Sequence, residues 1–273
     1  MLSFPATFTI NTQQLVDELC CSAFATRLEW IPMTDVYHNL KDKAAAIFNQ
    51  HGLMGETVRI KARVLSAEEA IGHPEAHDFP IQKGKERLMQ ANIDGASGQA
   101  FTDRFGDYEG TLEAILETPL TNNFRRAIFV ASINAALRRL GLIQGTVHCR
   151  DQGPAQCARA LADHIQNLYG KVRISLIGFQ PRMVETLAGL FPIRVLDMDR
   201  DNIGKRKFGA MVESPTAAQA AVAWADLLLV TGTTLVNGTV TDFLGEKPVI
   251  YYGTTIAGAA YLMGWTRFCD SSS

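Results

Sequence analysis

Apolar and polar positions along this chain follow two rhythms, one before about residue 143 and one after it. In the first, helical spacing predicts a helix over 10–27, with Asn11 or Thr12 as cap and Leu15, Leu19 and Ala23 on one face. It recurs over Met33–Gln50, where Thr34 precedes a stripe of Val36, Leu40, Ala44 and Phe48. Val58, Ile60, Ala62 and Val64 then alternate with Arg59, Lys61 and Arg63, the two-residue period of a half-buried strand. Residues 72–86 concentrate glycine, proline, histidine and charge, a loop long enough to be functional or disordered. Residues 88–102 read as extended. Two helices are expected at about 108–118 and 122–140, the second stopped by Gly141.

After a linker at 143–153, short apolar runs alternate with helical stretches. Strands are expected at 172–177, Ile193–Leu196, 227–230 and Val249–Tyr252, with helices at 181–190, 217–225, 235–244 and 256–263. That alternation predicts a mostly parallel sheet covered on both faces. The fold class is therefore α/β, with an α+β domain over 1–145 and a second domain over 146–273.

Composition narrows the function classes. A net charge of −2 over 273 residues, with no basic cluster interleaved with aromatics, argues against nucleic acid as partner. No apolar run approaches the ~20 residues of a membrane helix, and the first 30 residues lack a secretory pattern. Five cysteines at scattered positions make a poor disulfide framework and point to reduced thiols in a cytoplasmic protein.

Two Gly-Thr-Thr runs fall where a strand hands over to a helix, in Thr231-Gly232-Thr233-Thr234 and Tyr252-Gly253-Thr254-Thr255. Ligands of open parallel sheets sit at that end of the strands. Glycine there permits close approach, and threonines supply helix caps or hydroxyls to a ligand. Asn237 extends the polar run, and Asp197 closes the second strand where an acidic residue meets a ribose in dinucleotide folds. These residues, with Asp103 after the Gly98–Thr102 stretch, are the candidate ligand-binding set, suited to an anionic or carbonyl-rich molecule. Capping alone would also explain the threonines. Gly178-Phe179-Gln180-Pro181 lacks the glycines of a dinucleotide fingerprint, which argues against NAD.

His148, Cys149, Asp151 and Cys157 bring together donors that soft or borderline metals prefer, so they are the candidate metal ligands. Their spacing matches no common zinc pattern, and free thiols are the plainer reading. Cys269 joins them if the chain folds back. Vicinal Cys20-Cys21 reads as core packing, and His73 and His77 as part of an exposed loop. Glu86 and Asp103 are the candidate acid/base pair, with nothing in the spacing to place them within reach of each other.

Several runs taken together resemble a known group. Glu69-Ala70-Ile71-Gly72, Lys83-Gly84-Lys85-Glu86, Gly98 to Asp103, Arg126-Ala127-Ile128-Phe129, His148-Cys149-Arg150-Asp151, Asp197 to Gly204 and Thr231 to Thr239 are similar to the uncharacterised family called "putative heavy-metal chelation" proteins. The resemblance spans nearly the whole chain, and its most specific part is Thr231 to Thr239. It implies an enolase N-terminal-like domain followed by a Rossmann-like domain, with a cleft between them, though not enolase chemistry.

Two function classes follow. One is a metal-handling protein that binds a transition or heavy metal ion, or a metal-bearing or anionic small molecule, in the cleft. The other is an enzyme acting on an anionic nucleotide- or pterin-like compound, with Glu86 or Asp103 moving the proton. Partners are a metal ion or small molecule, and a homo-oligomer stays open.

Overall fold

A computed structural model describes residues 33–61, 67–73, 78–79, 81 and 86–273. The helix expected over 10–27, with Cys20 and Cys21, lies outside the described residues. So do Ala62 and Val64 of the first strand, and His77, Lys83 and Lys85 of the long loop.

The first helix, α1 (Met33–Gln50), buries Val36, Tyr37, Leu40, Ala44 and Phe48 on one stripe, as its spacing requires. Strand β1 (Thr57–Lys61) is followed by a single-turn helix, α2 (Ala67–Ile71). The stretch expected to be one extended segment is instead a hairpin of β2 (Arg87–Ile93) and β3 (Ala96–Thr102). Its turn is Asp94-Gly95, both with positive φ (45° and 82°), which is the twist that a two-residue hairpin turn needs. Residues 108–118 also depart from expectation. They form β4 (Tyr108–Thr111) and only then α3 (Leu112–Glu117), whose N-cap Thr111 accepts from Ala114 N–H at 3.2 Å. The four strands make an antiparallel sheet in the order β3-β2-β1-β4.

Helix α4 (Asn123–Arg139) starts at Asn122, which accepts from Arg125 N–H at 2.9 Å. Every residue from Ala127 to Leu137 is buried, so the helix has no solvent face along its middle. It packs on β2 and β3 on one side.

Helix α5 (Gly153–Tyr169) had no counterpart in the sequence reading. Its buried face carries Cys157, Ala158, Leu161, Ala162 and Ile165. The second sheet follows as β5 (Ile174–Ile177), β6 (Ile193–Leu196), β7 (Arg206–Lys207), β8 (Ala210–Glu213), β9 (Leu227–Thr231), β10 (Val249–Tyr252) and β11 (Arg267–Phe268). Between them run α6 (Pro181–Ala188), α7 (Ala218–Trp224), α8 (Thr233–Asn237) and α9 (Ala257–Met263). The helix expected over 235–244 is shorter: α8 ends at Gly238, whose φ of 84° stops it, and a 3₁₀ turn (Val240–Phe243) follows. Among the described residues no helix is long and apolar enough to cross a membrane.

The second sheet has the order β11-β10-β9-β5-β6-β8-β7, parallel except for the β7–β8 hairpin. The chain winds outward from β5 through β6 and β8, then returns to the other side of β5 for β9, β10 and β11. Its reversal point lies between β5 and β9, where adjacent loops leave in opposite directions and open a crevice. Alternate residues serve different cores: Leu228 and Val230 face α4 and the first sheet, whereas Leu227 and Leu229 face α5 and α6. One core therefore runs unbroken from the first sheet through α4 to the second sheet, and both sheets belong to one compact unit, Ile31–Ser273.

Asn134, on α4 and fully buried, ties this arrangement together. Its Nδ2 donates to Gln99 O of β3 at 2.9 Å and to Thr254 O and Thr255 O at 3.2 Å, while its Oδ1 accepts from Gly258 N–H at 2.7 Å.

Candidate functional site

A cavity of about 560 Å³ opens at the carboxyl ends of β5, β6, β9 and β10, facing the end of β3. Its floor is formed by the loops after β9 and β10. Thr231, Gly232, Thr233, Thr234, Asn237, Gly253 and Thr254 all line it, as do Asp197 and, from the opposite wall, Asp103.

The floor threonines differ in what their hydroxyls do. Thr233 Oγ1 donates to Thr231 Oγ1 at 3.1 Å, and Thr234 Oγ1 donates to Thr231 O at 2.7 Å. Asn237 Oδ1 accepts from Thr239 N–H and Oγ1, while its Nδ2 donates to Met198 Sδ. These side chains hold the turn in shape. The positive end of a helix adds little, because α8 is five residues long. The second run behaves otherwise. Thr255 Oγ1 accepts from Phe101 N–H at 3.1 Å and joins the loop to β3. Thr254, 1% exposed, has a hydroxyl with no partner.

Carboxylates gather around Glu86. Glu86, just before β2, lines the cavity with Asp103, Asp197 and Asp199. Burial, and then the charges of Asp197, Asp199 and Asp103, raise Glu86 from its ordinary 4.5 to about 7. Asp197 accepts from Phe179 N–H at 2.9 Å and Asp199 N–H at 2.6 Å, yet burial still holds its carboxyl above the usual range. Asp242 also lines the cavity, and among its described lining residues there is no lysine or arginine.

The raised Glu86 has a consequence for stability. Between its unfolded value of 4.5 and about 7 the folded state holds more protons than the unfolded one, so stability falls as pH rises through that window. Glu86→Gln should match the wild type at pH 4 and exceed it at pH 8. The gain should be about 1–2 kcal/mol, less than a dry site would give because Glu86 is only half-buried. Urea denaturation at both pH values checks this. Equal stability at pH 8 would show that Glu86 carries no burial penalty.

Thiols line the cavity as well. Cys149, Cys157 and Cys269 line the cavity, so the C-terminal segment does fold back to α5. Cys157 and Cys269 act on each other: the Cys157 thiol, the nearby Arg267 and the Ser272 hydroxyl draw Cys269 below the ordinary thiol value, while Cys269 and burial push Cys157 up. Burial pushes Cys149 up to about 12. His148 lines the same wall, its ring edge-on to Phe101 at 5.2 Å. Burial lowers it to about 4, so it is neutral at pH 7, and its Nδ1 has no partner. Asp151 is not among the lining residues; its Oδ1 accepts from His73 N–H at 2.9 Å. His73 also faces Glu68 at 3.0 Å, on an exposed surface.

This donor set can be tested against a metal ion. Among the described residues no three side chains of His, Cys, Asp or Glu converge on one point. A four-coordinate site built from protein ligands alone does not fit. The Cys157–Cys269 pair fits a soft ion taking two sulfurs, or an ion whose other ligands come from a bound molecule.

Residues 160–256 match the sequence model of the DUF364 family, described as "Putative heavy-metal chelation". That segment, about a third of the chain, is similar to the family. A DUF364-family protein of unknown function from Pyrococcus horikoshii has a similar structure, with 18% identity and a TM-score of 0.50, covering 81% of this chain and 79% of that one. Another, from Desulfitobacterium hafniense DCB-2, has 12% identity and a TM-score of 0.47, covering 65% and 72%. No curated protein matches the chain. The DUF364 segment contains β5 to β10 and so the carboxyl-end floor with Asp197, Asp199 and Thr231 to Thr254. It contains no cysteine; Cys149, Cys157 and Cys269 all lie outside it.

Sequence reasoning missed Cys269 as a neighbour of Cys157, and it missed Asn134. The first had only a loose signal, a thiol near the end of the chain. The second had none, because one asparagine in an apolar helix looks like any other.

Proposed function

We propose that the protein handles a soft or transition metal ion in this cavity, with Cys157 and Cys269 as its sulfur ligands. One observation carries the reading: two thiols from distant parts of the chain line the same cavity and act on each other, one drawn toward the thiolate. Thiolate is the ligand form, and sulfur selects soft ions. Cys149 and His148 stand on the same wall as further donors once an ion draws them in. Asp151, engaged with His73, is left out of the set. The family description of the DUF364 segment supports a metal-handling role.

Counted along the chain, the six parallel strands of the second sheet lie in the order 3-2-1-4-5-6, which supports a Rossmann-like domain over 146–273. The antiparallel sheet with its following helices supports an enolase N-terminal-like domain over 1–145.

An enzyme reading draws on Glu86, whose value near 7 suits a group that gives and takes a proton at neutral pH. The anionic substrate expected for it would meet five lining carboxylates, which weighs against that substrate class.

The test is metal content and affinity. Purified protein should bind Cu(I) or Cd(II) at one equivalent, measured by competition with a chromophoric chelator and by elemental analysis. Cys157→Ser with Cys269→Ser should weaken binding by more than about 100-fold, since losing even an outer partner of a metal site costs roughly 10–100-fold. Binding unchanged by the double substitution would remove the thiol pair from the assignment.

A further inference from the structure

The cavity wall carries three thiols, and the course of the chain after β11 decides which two meet. Gly153, Cys157 and His164 of α5 are spaced by four and then seven residues, so they share one face of the helix. The segment after β11 runs along that face in the opposite direction. The Phe268 ring lies 5.1 Å from the His164 ring, and Ser271 Cβ lies 3.5 Å from where a side chain at Gly153 would begin. Cys269, between those two contacts, therefore falls level with Cys157. Two backbone bonds between Val147 and Ser273, at 2.8 and 3.1 Å, hold the far end of the segment. Cys149 stands at the Gly153 end, its Cβ 2.8 Å from the same point. We propose that Cys157 and Cys269 are a site of reversible oxidation, closed by a hydroperoxide to a disulfide that withdraws both sulfurs from a metal ion. The withdrawal rests on the metal reading above; the bond itself does not.

Hydrogen peroxide is small against a cavity of about 560 Å³, and both thiols line it. Cys269 is the more exposed of the two and has Arg267 beside it, so it attacks first. Its sulfur takes one peroxide oxygen, the O–O bond breaks, and water leaves with the thiol proton, giving a sulfenic acid. The Cys157 sulfur then attacks that of Cys269, the S–O bond breaks, and a second water leaves with the Cys157 proton. Two thiols and one peroxide become one disulfide and two waters. Each sulfur gives up one electron and the peroxide gains two. Cys157 and Cys269 already act on each other, whereas Cys149 feels Cys269 only as a charge. Thiolate is the ligand form, so an ion held by this pair loses both donors in one step. Exchange with a reducing thiol restores them.

The experiment exposes the full chain, reduced and metal-free, to hydrogen peroxide and maps the products by mass spectrometry of non-reduced peptides. A Cys157–Cys269 bridge should be the main product, formed at a stoichiometric dose and reversed by dithiothreitol. Cys157→Ser should stop at a Cys269 sulfenic acid that dimedone traps, and Cys269→Ser should leave Cys157 as a thiol. Oxidised protein should bind Cd(II) at least about 100-fold more weakly than reduced protein. Protein loaded with Cd(II) should resist the bridge at the same dose. The two readings fail apart. Reduced protein that forms the bridge but binds no Cd(II) or Cu(I) upholds the oxidation site and removes the metal from it. Reduced protein that binds metal but forms no bridge overturns the proposal. So does a main product bridged through Cys149, or Cd(II) affinity unchanged once Cys157 and Cys269 are joined.

Discussion

Replacing Asn134 by alanine should destabilise the protein by about 3–5 kcal/mol, read as a lower midpoint in urea. The side chain is fully buried; its two amide hydrogens are shared among three carbonyls, and its oxygen accepts from Gly258 N–H. Alanine leaves buried backbone groups of β3, of the loop after β10 and of α9 short of a partner. Each such group carries a desolvation penalty of about 1–3 kcal/mol, though some relax toward water or another donor. Asn134→Leu should do no better, because an apolar side chain of similar size satisfies none of those groups. Thr254 sits in the loop that Asn134 holds, so ligand affinity should fall along with stability. A loss under about 1 kcal/mol would mean that the loop finds its own partners without this side chain.

The second large effect is expected at Gly98. A Cβ there would lie inside contact distance of Ala135 N and Ala131 O, and 2.7 Å from the carbonyl carbon of Asn134. All three are backbone atoms of α4, so no rotamer change relieves the clash. The helix must move off the sheet. Gly98→Ala should cost about 3 kcal/mol or more, at the upper end for overpacking. The same close approach lets Asn134 reach Gln99 O, and the two sites therefore act on one interface. The double variant should lose less than the sum of the single losses, since the first change already separates helix and strand. Additive losses would show that strand and helix are held by contacts elsewhere.

What the amino-acid pattern revealed follows from how local each signal is. Ile193–Leu196 and Val249–Tyr252 were legible as strands with their bounds, because a short apolar run bounded by polar turns has few other uses. Met33–Gln50 was legible for the same reason, with its stripe of five buried residues. Tyr108–Thr111 was not, since a glycine and two polar residues in a four-residue edge strand carry no alternation. Asp94-Gly95 is a hairpin signal in the sequence itself, a pair suited to positive φ between two extended runs. Helix Gly153–Tyr169 was hidden by its first residues, Gly153 and Pro154, which look like linker until the buried stripe from Cys157 is counted. The floor residues of the site were legible because strand-end loops are a topological location. The meeting of Cys157 with Cys269, and of Glu86 with Asp197, depends on contacts between distant segments, which spacing does not encode.

The floor of the cavity is pinned from beneath by residues made much earlier in the chain. Tyr37 donates its hydroxyl to Leu235 O across 198 residues, and Arg126 Nη1 donates to Val236 O across 110. The second sheet alone therefore cannot shape the floor: the loop after β9 takes its position only with α1 and α4 in place, so the binding surface belongs to both halves of the chain.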